Sequence, residues 1–298
     1  MLLRVLGTAA GGGVPQWNCA CPGCRGARVH RHWRRRHAAL AVRSAPGRWF
    51  LVNATPDLGE QLEEHPELHP GPEPRRTPVA GVLLTDAELD HTLGIARLRE
   101  GDALHLHTTG AVRHALHSGL RLDDVLAPYT GLTWHRLPHY GSPEPLEPGS
   151  EILVDALPVS GKRPRYAAGL PDDADGTWSV ALRLTDRATG RRVLYAPCIA
   201  TWPDALGDAA ERADVVFADG TFWDDEEPVA AGLGAKSATA MGHLPIQATA
   251  ERLSRLPGRC LYTHLNNTNP LVDPADPRHR QLAELGLDVA EDGMVIEL

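Results

Sequence analysis

The amino-acid sequence predicts a layered α/β fold in which strands bring polar side chains to one edge of a sheet. The apolar run at 79–84 has the length of a buried strand, and a helix-like spacing of apolar residues follows it from residue 91. Two later apolar segments end at Asp219 and His264. In layered α/β folds the carboxyl ends of strands are the usual place for a functional site.

Length and charge restrict the class of protein further. A chain of 298 residues can bury a sizeable core, and no long linker divides it, so we expect a single domain over residues 1–298. A net charge of -8 argues against nucleic acid and anionic membranes as partners. The first strand-like run, residues 1–6, meets Gly7 too early for a signal peptide, and no apolar segment approaches bilayer length. We therefore expect a cytoplasmic protein.

The glycine-rich segment 7–13 follows the first predicted strand. It lacks the lysine of a P-loop, and its glycines do not fit the spacing of a dinucleotide-binding loop. We interpret it as a tight loop whose backbone passes close to a site.

Three cysteines at 19–24 form a C-x-C-x-x-C cluster: Cys19, Cys21 and Cys24. Three thiolates at this spacing match three of the four tetrahedral ligands of a structural zinc knuckle. The alternative is a set of reduced thiols, which would be exposed to oxidation. The fourth ligand has to come from elsewhere in the chain. We interpret the basic residues at 25–36 as a solvated face.

Apolar patterning predicts the remaining elements in order. Strands are expected at 38–42, 49–52, 104–107, 134–137, 152–158, 178–184, 193–198, 214–219 and 260–263, and a helix at 246–256. Asp57 is expected to cap a helix. His105 and His107 are interpreted as surface or helix-face histidines. A basic loop with Lys162, Arg163 and Arg165 could contact an anionic substrate, with a solvated loop as the alternative.

The acids and the histidine that follow the strand at 79–84 are the nucleus of a candidate metal site: Asp86, Glu88, Asp90 and His91. In the alternative interpretation Asp90 caps the next helix and the other acids are solvated. Asp219, His243 and His264 occur at further strand or turn ends. Side chains that converge from separate elements are typical of metal sites, and this favours the metal interpretation.

Residues 85–94 resemble the T-H-x-H-x-D-H-x-x-G signature of the metallo-β-lactamase superfamily. The cysteine cluster and the segments 53–57, 241–245 and 263–270 extend the resemblance over the whole chain, to a family that takes part in synthesis of the coenzyme pyrroloquinoline quinone (PQQ). This resemblance implies an αββα sandwich, with two mixed β-sheets flanked by helices.

The chain departs from the superfamily signature at several metal ligands. Asp86 and Glu88 stand where the signature has its first two histidines, the mid-chain histidine falls near Lys162, and the bridging aspartate falls near Pro197. A dizinc hydrolase needs those groups for its first metal and shared hydroxide. The ligands of the second metal are still present in this chain: Asp90, His91 and His264. Two imidazoles and one carboxylate are the composition of the facial triad of non-haem iron(II) oxygenases.

The resemblance therefore implies Fe(II)-dependent hydroxylation of the tyrosine ring in a Glu-Tyr-derived, peptide-like substrate. In this interpretation Asp219 and His243 support the ligands or handle protons, and Asp86 and Glu88 tune the site or orient substrate. The basic loop meets the substrate's carboxylates. Asn267 stands where relatives with phosphodiesterase activity have the fourth ligand of the zinc knuckle, and a side-chain oxygen, water or another residue are the alternatives.

Two other functions stay open at the level of sequence. One is a hydrolase that uses a single zinc at the same three ligands. The other is a non-catalytic carrier that assists transport of PQQ or its precursor to the periplasm. A homodimer is an open alternative for the oligomeric state.

Overall fold

The computed structural model describes residues 1–73, 75–171 and 176–298. Two mixed β-sheets pack face to face, and helices cover their outer faces. This confirms the αββα sandwich that the family resemblance implies. Within the described ranges, no helix is both long enough and apolar enough to cross a bilayer.

The first sheet contains seven strands among the described residues. Its order is β14 (Val295–Glu297), β1 (Leu2–Gly7), β2 (Ala39–Ala45), β3 (Arg48–Val52), β4 (Val79–Leu83), β5 (Ala103–Thr108) and β6 (Gly131–Arg136). Pairs from β14 to β3 are antiparallel, and pairs from β3 to β6 are parallel. The parallel strands therefore end at the same edge of the sheet.

The second sheet also has seven strands in the part of the chain that the structure describes. Its order is β13 (Leu287–Val289), β12 (Arg259–Thr263), β11 (Val215–Asp219), β10 (Arg192–Ala196), β9 (Ser179–Asp186), β8 (Ile152–Ser160) and β7 (Glu144–Pro145). The pairs from β13 to β10 are parallel and the others are antiparallel. The carboxyl ends of β10, β11 and β12 thus lie side by side.

Short helices connect these strands. The α-helices are α1 (Pro22–Val29), α2 (Leu58–Glu63), α3 (Leu89–Thr92), α4 (Gly110–His114), α5 (Leu122–Leu126), α6 (Asp204–Glu211), α7 (Glu227–Ala230), α8 (Ile246–Leu253) and α9 (Arg278–Glu284). Turns of 3-10 helix lie at Arg31–Trp33, Pro66–Leu68, Leu93–Leu98, Arg165–Ala167, Thr239–Met241 and Pro270–Val272, and a π-helical turn at Ala115–Gly119.

Three buried apolar clusters hold the layers together. Phe50 of the first sheet and Phe217 of the second belong to the cluster between the sheets. Leu206 of α6 packs on the outer face of the second sheet, and Leu58 of α2 on that of the first. Because strand side chains alternate between faces, sheets covered on both sides need apolar residues at nearly every strand position.

Two side chains make contacts that the sequence analysis did not predict. Asp57 makes no capping hydrogen bond; its carboxylate accepts from the backbone nitrogen of His37 at 3.2 Å and lies 3.1 Å from Nδ1 of that ring. His107 is buried in β5, where its ring stacks on His135 and meets Phe50 edge-on. Asp57 thus occupies the predicted N-cap position of α2 without capping the helix through its side chain. The prediction for His107 was wrong because its partners lie on other strands.

Candidate metal centre

The predicted site residues come together at the edge where the parallel strands of both sheets end. Asp86, Asp90 and His91 follow β4, Asp219 ends β11, and His264 follows β12. A cavity of about 720 Å³ opens at this edge. Its volume is typical of sites for small molecules.

His91 lies in α3 and is held by the buried Asp86. Its Nδ1 lies 2.8 Å from Oδ2 of Asp86, and Thr85 donates to the same oxygen at 2.9 Å. Because an ionised carboxylate can only accept, the proton of the imidazole is on Nδ1. Its Nε2 is buried and has no hydrogen-bond partner among the described residues. Nε2 of His91 is therefore the ring nitrogen that remains available to a metal at the cavity.

Asp90 stands between the two sheets. Its Oδ2 accepts from the backbone nitrogen of Gly11 at 3.0 Å, so the glycine-rich loop does pass close to the site. The same oxygen lies 3.5 Å from Nε2 of His264 and 3.9 Å from Nε2 of His91. Two donors that share one cation at bonds of about 2.1 Å cannot be further apart than about 4.2 Å. Both distances meet that limit.

Thr221 orients His264. Its hydroxyl donates to Oδ1 of Asp219 at 2.6 Å, so its oxygen is left to accept from Nδ1 of His264 at 2.8 Å. Nε2 of His264 is then unprotonated. His264 has a φ of 60°. This left-handed backbone conformation is uncommon for residues other than glycine and is often found at functional sites.

His243 shares the same network. Its Nδ1 lies 2.8 Å from Oδ2 of Asp219, and its ring stacks on His264 with centroids 5.7 Å apart. Asp219 also accepts from the backbone nitrogen of Ile199 at 2.7 Å. Asp219 thus contacts Nδ1 of His243 directly and is linked to Nδ1 of His264 through Thr221. The ligand atoms of Asp219, His243 and His264 also lie within 4.8 Å of one another.

These contacts test whether the residues fit a cation. His91, His243 and His264 each have Nδ1 occupied by an oxygen partner, which leaves Nε2 as the available donor. Imidazoles that bind metals in proteins are usually oriented in this way. The donor set of Asp90, His91 and His264 therefore fits a bound divalent metal.

The charges of the cluster favour a cation as well. Burial would raise the pKa of Asp86, but the charge of His91 together with the hydrogen bonds from His91 and from the backbone of Glu88 holds that pKa below its usual range. Burial would lower the pKa of His91, but Asp86 and Asp90 raise it to about 9. Burial lowers the pKa of His264, which disfavours protonation of that ring. The acids thus stabilise positive charge at the point where the imidazoles meet.

Cys198 is a site residue that sequence reasoning missed. It lies two residues past the end of β10, in the turn where Pro197 was placed near the superfamily's bridging aspartate. Its Sγ lies 3.9 Å from Nε2 of His264, and the donor atoms of Cys198, His91 and His264 lie within 4.8 Å of one another. The rule that donors gather at strand ends would have found it.

The basic loop and Glu88 lie at the cavity wall. Lys162, Arg163 and Arg165 all line the cavity, and Nζ of Lys162 is 3.9 Å from Glu88. The guanidinium of Arg163 lies 5.0 Å from the ring centre of Trp178. Burial and the charge of Asp86 raise the pKa of Glu88. The cavity is thus acidic at its base and basic along one wall.

The three cysteines of the knuckle also come together. α1 begins at Pro22, so Cys24 lies on a helix and Cys21 caps it by accepting from the backbone nitrogen of Cys24. Nδ2 of Asn267 lies 3.1 Å from the sulfur of Cys19 and 3.3 Å from that of Cys21. In this orientation Asn267 is a hydrogen-bond donor to the thiol cluster.

Known proteins share both the fold and the length of this chain. Residues 48–265 match the β-lactamase superfamily domain. Coenzyme PQQ synthesis protein B of Cupriavidus necator is 40% identical over 99% of each chain, and that of Azoarcus sp. is 40% identical over 100% of each. The crystal structure of Zn(2+)-bound PqqB from Methylobacterium extorquens superimposes with a TM-score of 0.89, at 30% identity and full coverage of both chains. The chain belongs to the coenzyme PQQ synthesis protein B family of the β-lactamase superfamily.

Proposed function

We propose that the protein catalyses Fe(II)- and O2-dependent hydroxylation of the tyrosine ring in a Glu-Tyr-derived intermediate of PQQ synthesis. Because the chain belongs to the coenzyme PQQ synthesis protein B family, its role lies in making that coenzyme. The donor set of Asp90, His91 and His264 carries the more specific proposal. One carboxylate and two imidazoles are the protein ligands of mononuclear non-haem iron(II) oxygenases.

Asp90, His91 and His264 would hold the iron. Bound Fe(II) supplies the activation of O2 that hydroxylation of an aromatic ring requires. Asp86 fixes the ring of His91, and Thr221 fixes that of His264, so both imidazoles keep their direction when the cavity is filled. Such outer contacts also raise the basicity of the ligands.

His243 is assigned to hold a proton of the substrate. Its Nδ1 proton is bound to Asp219, which leaves Nε2 as a base in the wall of the cavity. A phenol close to that nitrogen can pass its proton to it, and the charge of Asp219 stabilises the resulting imidazolium. Asp219 is a positioning residue in this assignment.

Lys162, Arg163 and Arg165 are assigned to the substrate's carboxylates. The base of the cavity carries Asp86 and Asp90, which repel an anionic substrate. The basic wall is therefore the part of the cavity that attracts carboxylates, and guanidinium groups bind them in a two-pronged geometry. A substrate held there by its carboxylates can extend its aromatic ring toward the base.

The test is a single-turnover experiment. Protein loaded anaerobically with Fe(II) receives O2, a Glu-Tyr-type substrate and a two-electron reductant such as ascorbate, so that one oxygen atom enters the ring and the other leaves as water. Mass spectrometry follows the product. We expect the mass to increase by one oxygen atom. H91A and H264A should abolish the product and lose the iron. H117A, at a histidine that is 61% exposed, should behave like the wild type. Full hydroxylation by both ligand variants would exclude this centre.

A hydrolase with a single zinc is the second candidate function. The observation in its favour is the Zn(2+)-bound crystal structure of the relative from Methylobacterium extorquens. The same three donors suit zinc, which lowers the pKa of a bound water. Zinc-loaded protein that cleaves phosphodiesters or lactams, with no hydroxylation by the iron form, would favour it. Tight binding of PQQ without any turnover would instead indicate a carrier.

A further inference from the structure

We propose that the thiolate of Cys198 is a fourth protein ligand of the cation held by Asp90, His91 and His264. This inference rests on the proposed metal centre, but it is independent of the reaction assigned to that centre. The resulting donor set has two imidazoles, one carboxylate and one thiolate.

The turn after β10 brings the sulfur to the centre. β10 pairs in parallel with β11, with Ala196 opposite Ala218, so the turns that follow them are adjacent. The backbone nitrogen of Ile199 donates to Asp219 at 2.7 Å and fixes the residue next to Cys198. The position of the thiol is thus set by two strands and one buried hydrogen bond.

The distances agree with a shared cation. Sγ of Cys198 lies 3.9 Å from Nε2 of His264. A nitrogen and a sulfur on one cation can be at most about 4.4 Å apart, since the two bonds measure about 2.1 and 2.3 Å. The donor atoms of Cys198, His91 and His264 lie within 4.8 Å of one another. A small contraction brings all three onto one ion.

The buried Nε2 of His91 is independent evidence for a ligand at this point. The ring is 1% exposed, and this nitrogen has no hydrogen-bond partner among the described residues. A buried polar atom without a partner costs free energy unless something in the functional state satisfies it. The atom belongs to the same group of donors as the sulfur of Cys198.

Cys260 provides a matched comparison within the chain. It is buried in β12, and its thiol faces the carbonyl oxygens of Leu253 and Gly258 at 3.6 Å. The side chain of Cys198, in contrast, lines the cavity. When a cation binds, the Cys198 thiol releases its proton to solvent as the sulfur–metal bond forms, without any change of oxidation state.

Cobalt(II) tests this inference without any assay of activity. Protein whose knuckle has been filled with zinc is titrated with Co(II) under nitrogen. We expect a sulfur-to-cobalt charge-transfer band in the near ultraviolet for the wild type and for C260S. The band should be lost in C198S and C198A, which should still bind cobalt, with lower affinity. H264A should bind no cobalt at the centre.

Two results would overturn the inference, and they have different meanings. In the first result, the wild type binds cobalt without the band, or the band survives in C198S and C198A. This result excludes the thiolate as a ligand but is compatible with a metal centre of Asp90, His91 and His264. In the second result, the wild type with a zinc-filled knuckle binds no cobalt. This result excludes the metal centre itself, and with it the ligand role of Cys198. Hydroxylation is read separately by mass spectrometry.

Discussion

Asp86 illustrates at the scale of a single residue how a group that donates nothing to a cation can still determine its binding. It is buried, and it bonds the ring of His91 through both oxygens at 2.8 and 2.9 Å. It also accepts from the backbone nitrogen of Glu88 at 2.9 Å, where α3 begins. The same carboxylate therefore sets the direction of the imidazole and the start of the helix that carries it.

We expect D86N to weaken metal binding by about 10–100-fold, the usual effect of losing an outer partner of a ligating histidine. The amide has one acceptor in place of two, and it carries no charge to stabilise the metal-bound ring. Competition with a chelating dye measures the affinity. D123N is the matched control, because Asp123 bonds the exposed His117 at 2.9 Å. Equal affinities in D86N and D123N would contradict this role.

At the scale of secondary structure, the packing of α3 against the turn after β3 positions the ligands that α3 carries. Ala54 donates to the carbonyl of His91, and Gly94 donates to the carbonyl of Ala54, both at 2.8 Å. An added Cβ at Gly94 would lie 2.0 Å from the carbonyl oxygen of Thr55. The backbone at Gly94 therefore packs directly against this turn, just after α3 has continued into a 3-10 turn at Leu93.

G94A should destabilise the fold by about 1–3 kcal/mol or more, because the atoms that the new methyl group meets are backbone. It should also weaken metal binding, since α3 carries Asp90 and His91. Urea unfolding and a metal titration measure the two effects. G131A, at the start of β6, adds a methyl group with nothing within 4 Å and should change stability by no more than about 0.5 kcal/mol. A G94A protein as stable as G131A would disprove the steric account.

The centre joins the two halves of the sandwich at the scale of the whole molecule. Asp90 and His91 come from the end of the first sheet, and His264 comes from the end of the second. Unfolding would separate these residues, so a cation held by all three would bind the folded protein and not the unfolded chain. Its binding free energy then adds to stability.

Loading the centre should raise the free energy of unfolding by about 2.7 kcal/mol when the free metal is at 100 times its dissociation constant. Urea denaturation with and without Fe(II), under nitrogen and with the knuckle already filled by zinc, measures the increment. H264A should show no increment, because the second sheet then provides no imidazole. An equal increment in H264A would mean that the metal stabilises the protein from another place.

Local pattern predicted a layered α/β fold with polar side chains at strand ends, and the resemblance to the metallo-β-lactamase superfamily predicted the sandwich, which the structure confirms. The structure also brings several of the predicted site residues to one edge, whereas their binding of a metal stays a prediction. Apolar strands that end in Asp90, His91, Asp219 and His264 reveal their chemistry within a few residues. Cys198 closes the predicted strand at 193–198, so the same reasoning could have found it; it was missed because a single cysteine has no ligand spacing of its own. His107 was taken for a surface residue because its burial depends on side chains of two other strands of the same sheet, Phe50 of β3 and His135 of β6. Long-range packing of this kind leaves no trace in local spacing.

The turn after β12 makes metal binding by this protein sensitive to oxidation of its cysteines. His264 directs its ring into the cavity, and three residues later Asn267 touches the sulfur atoms of Cys19 and Cys21. Peroxide that attacks those sulfur atoms breaks the anchor of this turn. We expect oxidation of Cys19 and Cys21 to release the cation as well. Damage near the amino terminus would then inactivate a centre whose ligands include His264, far along the chain.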